Sequence, residues 1–270
     1  MKRVLAVLIA AGGLATWAQD TPDRVTVPFS DPSRPKMVKV SLLNGSITVR
    51  GYNGKEAIVE SRSRGDDGHR RREAPAGMHR ISGGGAGLVA EESENTITIG
   101  TERLNSASEI TVQVPFETSL KLRTVNGGNI VVENVAGDLD VDNTNGAVTL
   151  SHVSGSAVAH ALNGRVVVTL DKVNPSKAMS FSSLNGNVDV TLPADVKANV
   201  KMKTDNGEIY SDFDVKLDSS ARQPIVEDSR NSRARYRVRL DHGVTGTING
   251  GGPELQFTTF NGTIFIRKAK

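Results

Sequence analysis

Leu139 to Leu150 read Leu-Asp-Val-Asp-Asn-Thr-Asn-Gly-Ala-Val-Thr-Leu, and Ala157 to Val168 read Ala-Val-Ala-His-Ala-Leu-Asn-Gly-Arg-Val-Val-Val. In both stretches an apolar or small residue recurs at every second position on either side of an Asn-Gly pair. Period-two alternation marks a β-strand with one buried face. Asn-Gly marks a tight turn, because these residues accept positive φ at little cost. Strand, turn, strand is therefore the unit to look for elsewhere.

It recurs along the chain. Asn-Gly occurs nine times in 270 residues, beginning at Asn44, Asn53, Asn126, Asn145, Asn163, Asn185, Asn206, Asn249 and Asn261. Chance predicts roughly two, and a fixed spacing is the mark of a repeat architecture. The spacings from Asn126 to Asn206 are 19, 18, 22 and 21 residues. Four residues before Asn stand Val40, Leu122, Val141, Ala159, Phe181, Met202 and Phe257; six before stand Val38, Leu120, Leu139, Ala157, Met179, Val200 and Leu255. Apolar residues return after the turn at Ile47/Val49, Val148/Leu150, Val166/Val168, Val188/Val190 and Ile264/Ile266. The turn residues predicted to shape the fold are Asn44-Gly45, Asn126-Gly127, Asn145-Gly146, Asn163-Gly164, Asn185-Gly186, Asn206-Gly207 and Asn261-Gly262.

The pattern predicts an all-β chain. Two architectures satisfy it. In a single-stranded β-helix, or β-solenoid, each coil of about 20 residues stacks on the next with like positions in columns. In a stacked β-hairpin meander, each Asn-Gly closes an antiparallel pair. The solenoid is preferred, because Thr124, Asn143, Ala161, Ser183 and Thr204 form a small inward column suited to a stacked ladder, and 4% aromatic residues make a thin core.

Residues 1–18 read as a signal peptide: Lys2-Arg3, an apolar run from Val4 to Ala11, and small residues at Thr16 and Ala18 before the cut. The run is too short to span a bilayer, and no later stretch is long and apolar enough. Export to the periplasm or cell surface is the expectation. The formal charge of +3 falls to +1 once Lys2 and Arg3 leave, so bulk electrostatics give no case for nucleic acid. Zero cysteines exclude disulfides, thiolate metal sites and a cysteine nucleophile. Residues 19–36 form a Pro-rich extended lead-in or cap. Residues 37–270 form one repeat domain with loop insertions near 62–87 and 216–232.

Candidate chemistry is sparse, and neither a cofactor nor a metal is expected. His69 and His79 fall in the first insertion, and His160 aligns with Asp142, suggesting a stacked pair. Asp138, Asp140 and Asp142 alternate on one outward face, about 7 Å apart, too straight to wrap calcium. Gly83 to Gly87 lacks the Lys and Ser/Thr of a phosphate loop. Arg64-Gly65-Asp66 is a cheap three-residue match. Arg233, Arg235, Arg237 and Arg239 alternate with Ala234, Tyr236 and Val238, an outward strip suited to phosphates or carboxylates. Tyr236 falls on the opposite face, so no stacking platform for single-stranded nucleic acid accompanies it.

The chain resembles the bacterial DUF4097 family of adhesin-type proteins, relatives of the head-GIN auto-transporter adhesin domains. The resemblance rests on Asp31-Pro32 ahead of Asn44-Gly45-Ser46-Ile47-Thr48-Val49; on Gly51-Tyr52-Asn53-Gly54; and on Val112-Gln113-Val114-Pro115 leading to Asn126-Gly127. It continues with Leu192-Pro193-Ala194-Asp195 leading to Asp205-Asn206-Gly207-Glu208-Ile209, and with Gly250-Gly251-Gly252-Pro253 before Asn261-Gly262-Thr263-Ile264. It implies an exported β-helix-like fold, an envelope or surface adhesive role, and no catalytic set. The expected protein is thus non-catalytic and binds an extended surface or an anionic glycan; its partner, glycan or protein, is unidentified. A periplasmic envelope-stress sensing or regulatory module is the alternative, with a carbohydrate-active β-helix enzyme third. Oligomeric state is left open.

Overall fold

The computed structural model describes residues 23–63, 87–101, 107–218, 225–229, 235–239 and 243–270. The signal peptide, Arg64-Gly65-Asp66, His69, His79 and the body of the first insertion lie outside the described residues. Within them the protein is all-β, with no helix and mostly parallel pairing.

The strands before each Asn-Gly form one sheet. From one rim to the other it runs β4 (Leu88–Ser93), β5 (Thr96–Thr101), the first half of β2 (Lys36–Tyr52), β7 (Thr118–Asn126) and β9 (Ala136–Asn145). It continues with the second half of β10 (Val148–Asn163), β12 (Met179–Asn185), β20 (Glu254–Asn261), β14 (Ala198–Asn206), β19 (Val244–Ile248) and β16 (Val215–Leu217). Every neighbour from β5 to β14 is parallel.

The strands after each Asn-Gly form the other sheet. Its order is β1 (Asp23–Pro28), β3 (Glu56–Ser63), β6 (Ser108–Pro115), the second half of β2, β8 (Ile130–Glu133), the first half of β10, β11 (Val166–Val173), β13 (Val188–Leu192), β21 (Ile264–Lys268) and β15 (Ile209–Ser211). β2 and β10 run through both sheets, so nineteen strands share one hydrogen-bonded network. β17 (Ile225–Ser229) and β18 (Arg235–Arg239) pair separately.

The alternation explains the packing. Val38, Val40, Leu120, Leu122, Val141, Phe181 and Phe257 face Ile47, Val49, Ile130, Val148, Val166, Val188 and Ile264, and all are buried. Ala157, Ala159 and Ala161 lie in register between larger neighbours, beside Phe181 and Ser183. Phe181 in turn stacks on Phe257 at 5.5 Å. Small beside large keeps the core thin.

Two expectations need correction. Consecutive repeats do stack from 118 to 192, but the last repeat does not follow at the end. β20 and β21 insert between β12/β13 and β14/β15. The reversal is made at Asn249-Gly250-Gly251, all with positive φ (49°, 88° and 88°), after β19 has run antiparallel to β14. Likewise β2 stacks directly on β7 and β8, while β3 to β6 line the rim beyond it.

The second correction concerns the glycines. Gly45 and Gly127 have positive φ, but Gly146, Gly164, Gly186, Gly207 and Gly262 do not. Their Asn-Gly pairs also close no hairpins, since the strands they join lie in different sheets. These glycines are needed for close approach instead. A Cβ on Gly146 would lie 2.1 Å from the Gly128 carbonyl oxygen, and one on Gly164 would lie 2.1 Å from that of Gly146. The column continues through Gly186 against Gly164 (2.4 Å), Gly262 against Gly186 (2.2 Å) and Gly207 against Gly262 (1.9 Å). Only a residue without a side chain lets the corners stack this tightly.

Candidate functional site

The corner column satisfies its own polar groups. Asn145 donates from Nδ2 to Oδ1 of Asn126 (3.2 Å), Asn163 to Asn145 (2.9 Å), Asn185 to Asn163, Asn261 to Asn185 and Asn206 to Asn261 (each 2.8 Å). This amide ladder follows the spatial order of the repeats, not the chain order. The inward column two residues earlier does not bond along itself. Thr124 donates to the Gly45 carbonyl (3.0 Å), Asn143 to Gly128 (3.0 Å), Ser183 to Gly164 (2.8 Å), Thr259 to Gly186 (2.9 Å) and Thr204 to Gly262 (2.9 Å). Leu42 and Ala161, at the same position, bring no donor. These residues make a stiff seam that leaves the outer faces free to vary.

The outer face of the first sheet is laced with ion pairs. Lys121 meets Asp140 (3.0 Å), Arg123 meets Asp142 (3.1 Å) and Lys177 meets Asp138 (2.6 Å). The Lys177 ammonium and the Ser156 hydroxyl, both at 2.6 Å, hold the Asp138 carboxyl below the usual carboxylate range. His160 lies in register with Asp142, but its Nδ1 bonds Ser182 Oγ (2.8 Å) while Asp142 bonds Arg123. The expected His160–Asp142 pair is therefore replaced by two neighbouring contacts. Among the described residues, no group of three His, Asp or Glu converges as a metal site. An open hollow of about 640 Å³ lies between the turns at 171–175, 193–197 and 251–253.

The second sheet carries a different patch at its β21–β15 edge. Tyr210, 52% exposed, stacks on Phe265 with ring centres 5.7 Å apart. The Arg267 guanidinium lies 5.1 Å over the Phe265 ring and bonds Asp189 (2.7 Å), which keeps it firmly protonated. The Tyr210 hydroxyl donates to Glu208, and this hydrogen bond, with the carboxylate's charge, pushes the phenol pKa up. Two aromatic rings, one guanidinium and two carboxylates thus share one exposed surface. Sequence reading missed it because Tyr210 and Phe265 are 55 positions apart and meet only through the insertion of the last repeat. An apolar rim accompanies the seam, where Leu43, Leu184 and Phe260 each precede an Asn-Gly and stand exposed.

Of the arginine strip, Arg233 lies outside the described residues. Arg235, Arg237 and Arg239 fall at alternate positions of β18, in register with Ser229, Glu227 and Ile225 of β17.

The class that emerges is an all-β repeat protein of in-register parallel strands. Residues 118–246 match the model of the Toastrack DUF4097 family, so the resemblance to that family is shown over this span. Two solved structures overlay on the chain. A putative cell adhesion protein from Clostridium sporogenes is 9% identical, with 92% of this chain and all of that one covered at a TM-score of 0.44. A putative adhesin from Bacteroides fragilis is 11% identical, covering 93% and 98% at 0.35. Comparison with curated proteins gives no match. No helix among the described residues is long and apolar enough to cross a membrane.

Proposed function

We propose that the protein is an exported, non-catalytic β-solenoid of the cell envelope or surface, which adheres to an anionic glycan presented over an extended area. The observation that carries this reading is the Tyr210–Phe265–Arg267 patch. Aromatic faces take the apolar C–H face of a sugar ring, and a guanidinium takes its carboxylate or sulfate group in a forked contact. Asp189 and Glu208 stand ready to accept sugar hydroxyls. Tyr210 and Phe265 stand in register on the paired strands β15 and β21, which sets the rings before binding and lowers the entropy lost. The strip at Arg233, Arg235, Arg237 and Arg239 is assigned as a second anion contact.

The test is binding of residues 19–270 to purified anionic glycans and to whole envelopes across a salt series. Saturable binding that weakens with salt is expected. Tyr210→Ala should weaken it about tenfold, the scale of one aromatic contact. Replacing the four arginines should remove most of the salt dependence. Full binding by both variants, or no binding to any anionic glycan, would overturn the assignment.

A further inference from the structure

Asn-Gly is chemically fragile as well as structurally useful. The glycine backbone nitrogen attacks Cγ of the asparagine side chain, forming a new N–Cγ bond. The side-chain nitrogen leaves as ammonia, taking up the proton the glycine nitrogen gives up. Water then opens the cyclic imide at either carbonyl, leaving an aspartyl or isoaspartyl residue. The reaction needs a free side-chain amide, a free glycine N–H and a backbone able to bring them together.

The stacked seam withholds the amide and the backbone freedom throughout, and the glycine N–H at three of its pairs. Asn126, Asn145, Asn163, Asn185, Asn206 and Asn261 have their side-chain amides bonded in the ladder. Their backbones are fixed in paired strands. The nucleophile is occupied too: Gly146 N donates to the Asn163 carbonyl (3.1 Å), Gly186 N to Asn261 (3.0 Å) and Gly262 N to Asn206 (3.0 Å). Asn249, outside the ladder, donates its amide to the Val196 carbonyl (2.8 Å). Asn53 differs. It is exposed, sits in the bend between β2 and β3, and its side chain has no hydrogen-bond partner among the described residues. The Tyr52 hydroxyl closes that bend on the Glu56 carbonyl (2.8 Å) without engaging the Asn53 amide.

We infer that Asn53 is the spontaneous deamidation site among the described residues, and that the amide ladder protects the Asn-Gly pairs of the stacked repeats. Conversion at Asn53 adds a negative charge beside Lys55, and the isoaspartyl form adds a backbone carbon to the β2–β3 bend. The inference does not depend on what the protein binds.

The folded full-length mature protein, held at mildly alkaline pH and sampled over days, is digested with trypsin and analysed by mass spectrometry. Cleavage after Arg50 and Lys55 isolates Gly51 to Lys55, which contains Asn53 alone among the asparagines. The amide-to-acid mass change should grow in that peptide at least about tenfold faster than at Asn145, Asn163 or Asn185, which react only through local opening. In urea the sites should become comparable. Equal rates in the folded protein, or a ladder asparagine reacting before Asn53, would overturn the inference. So would a rate for the ladder residues that unfolding leaves unchanged.

Discussion

Gly164→Ala separates the two reasons a turn can need glycine. The φ of Gly164 is ordinary, so a turn-geometry account predicts that alanine is tolerated, or even favourable by about 0.4–1 kcal/mol through the unfolded chain. Close approach predicts the opposite. The new Cβ falls 2.1 Å from the Gly146 carbonyl oxygen and 2.5 Å from its carbon, so the two corners must separate by more than about 1 Å in a stack of about 4.8 Å spacing. Overpacking of this kind costs about 1–3 kcal/mol. Moving the corner also strains the Ser183 bond to the Gly164 carbonyl and the Asn163 bond to Asn145, each worth about 1 kcal/mol. Less the unfolded-chain gain, the net loss is about 3 kcal/mol, or roughly 10 °C in Tm for a domain of this size. Gly127→Ala is the control. Gly127 has φ +74° and open space where its Cβ would go, so it should lose only about 1 kcal/mol. Urea and thermal unfolding of both variants, followed by circular dichroism, give the ordering. If Gly127→Ala is the more damaging, close approach is not what the repeat glycines provide.

Ala161→Ser should stabilise. Its position matches Ser183 and Thr259, whose hydroxyls bond the glycine carbonyl of the adjacent corner, and its register partner Asn143 has a buried Oδ1 with no hydrogen-bond partner. A gain of about 1 kcal/mol in urea unfolding is expected; a loss would mean that the site has no room for the oxygen. Asp138→Asn tests the electrostatics of the outer face. Lys177 and Ser156 depress the Asp138 pKa, so its stabilising contribution is present above the unfolded value and is lost as pH falls through the lower folded value. The variant should be slightly less stable than the parent at pH 7, with the gap closing below about pH 4. A gap independent of pH would show that the Lys177 contact contributes nothing through charge.

The repeat was legible because burial acts locally: each inward residue from Val38 to Ile266 announces itself through alternation with polar neighbours. The amide ladder is written in the same letters but reads as turn chemistry, since one Asn-Gly looks alike whether it bends a hairpin or stacks a corner. Only register distinguishes the two, and register is a property of pairs of strands. The order of stacking was less accessible still. Phe257 fits beside Phe181 and Met202, yet nothing in the Leu255 to Ile266 segment distinguishes insertion between two earlier repeats from addition at the end. The local sequence meets the needs of either place equally well.

That indifference follows from the division of labour in each coil. The glycine corner, the inward residue two before Asn and the inward apolar pairs suit the neighbour whichever repeat it is, because every repeat offers a glycine carbonyl, an asparagine amide and a buried apolar face. Stability is then close to a sum of nearest-neighbour terms. The outward positions enter that sum only weakly, through exposed ion pairs that contribute little each. They can therefore change without endangering the fold. A surface patch such as Tyr210, Phe265 and Arg267 needs the insertion of β21 beside β15 to exist at all. The out-of-order last repeat thus brings together residues that sequential stacking would leave apart, and it is at that junction that the exposed aromatic and guanidinium patch forms.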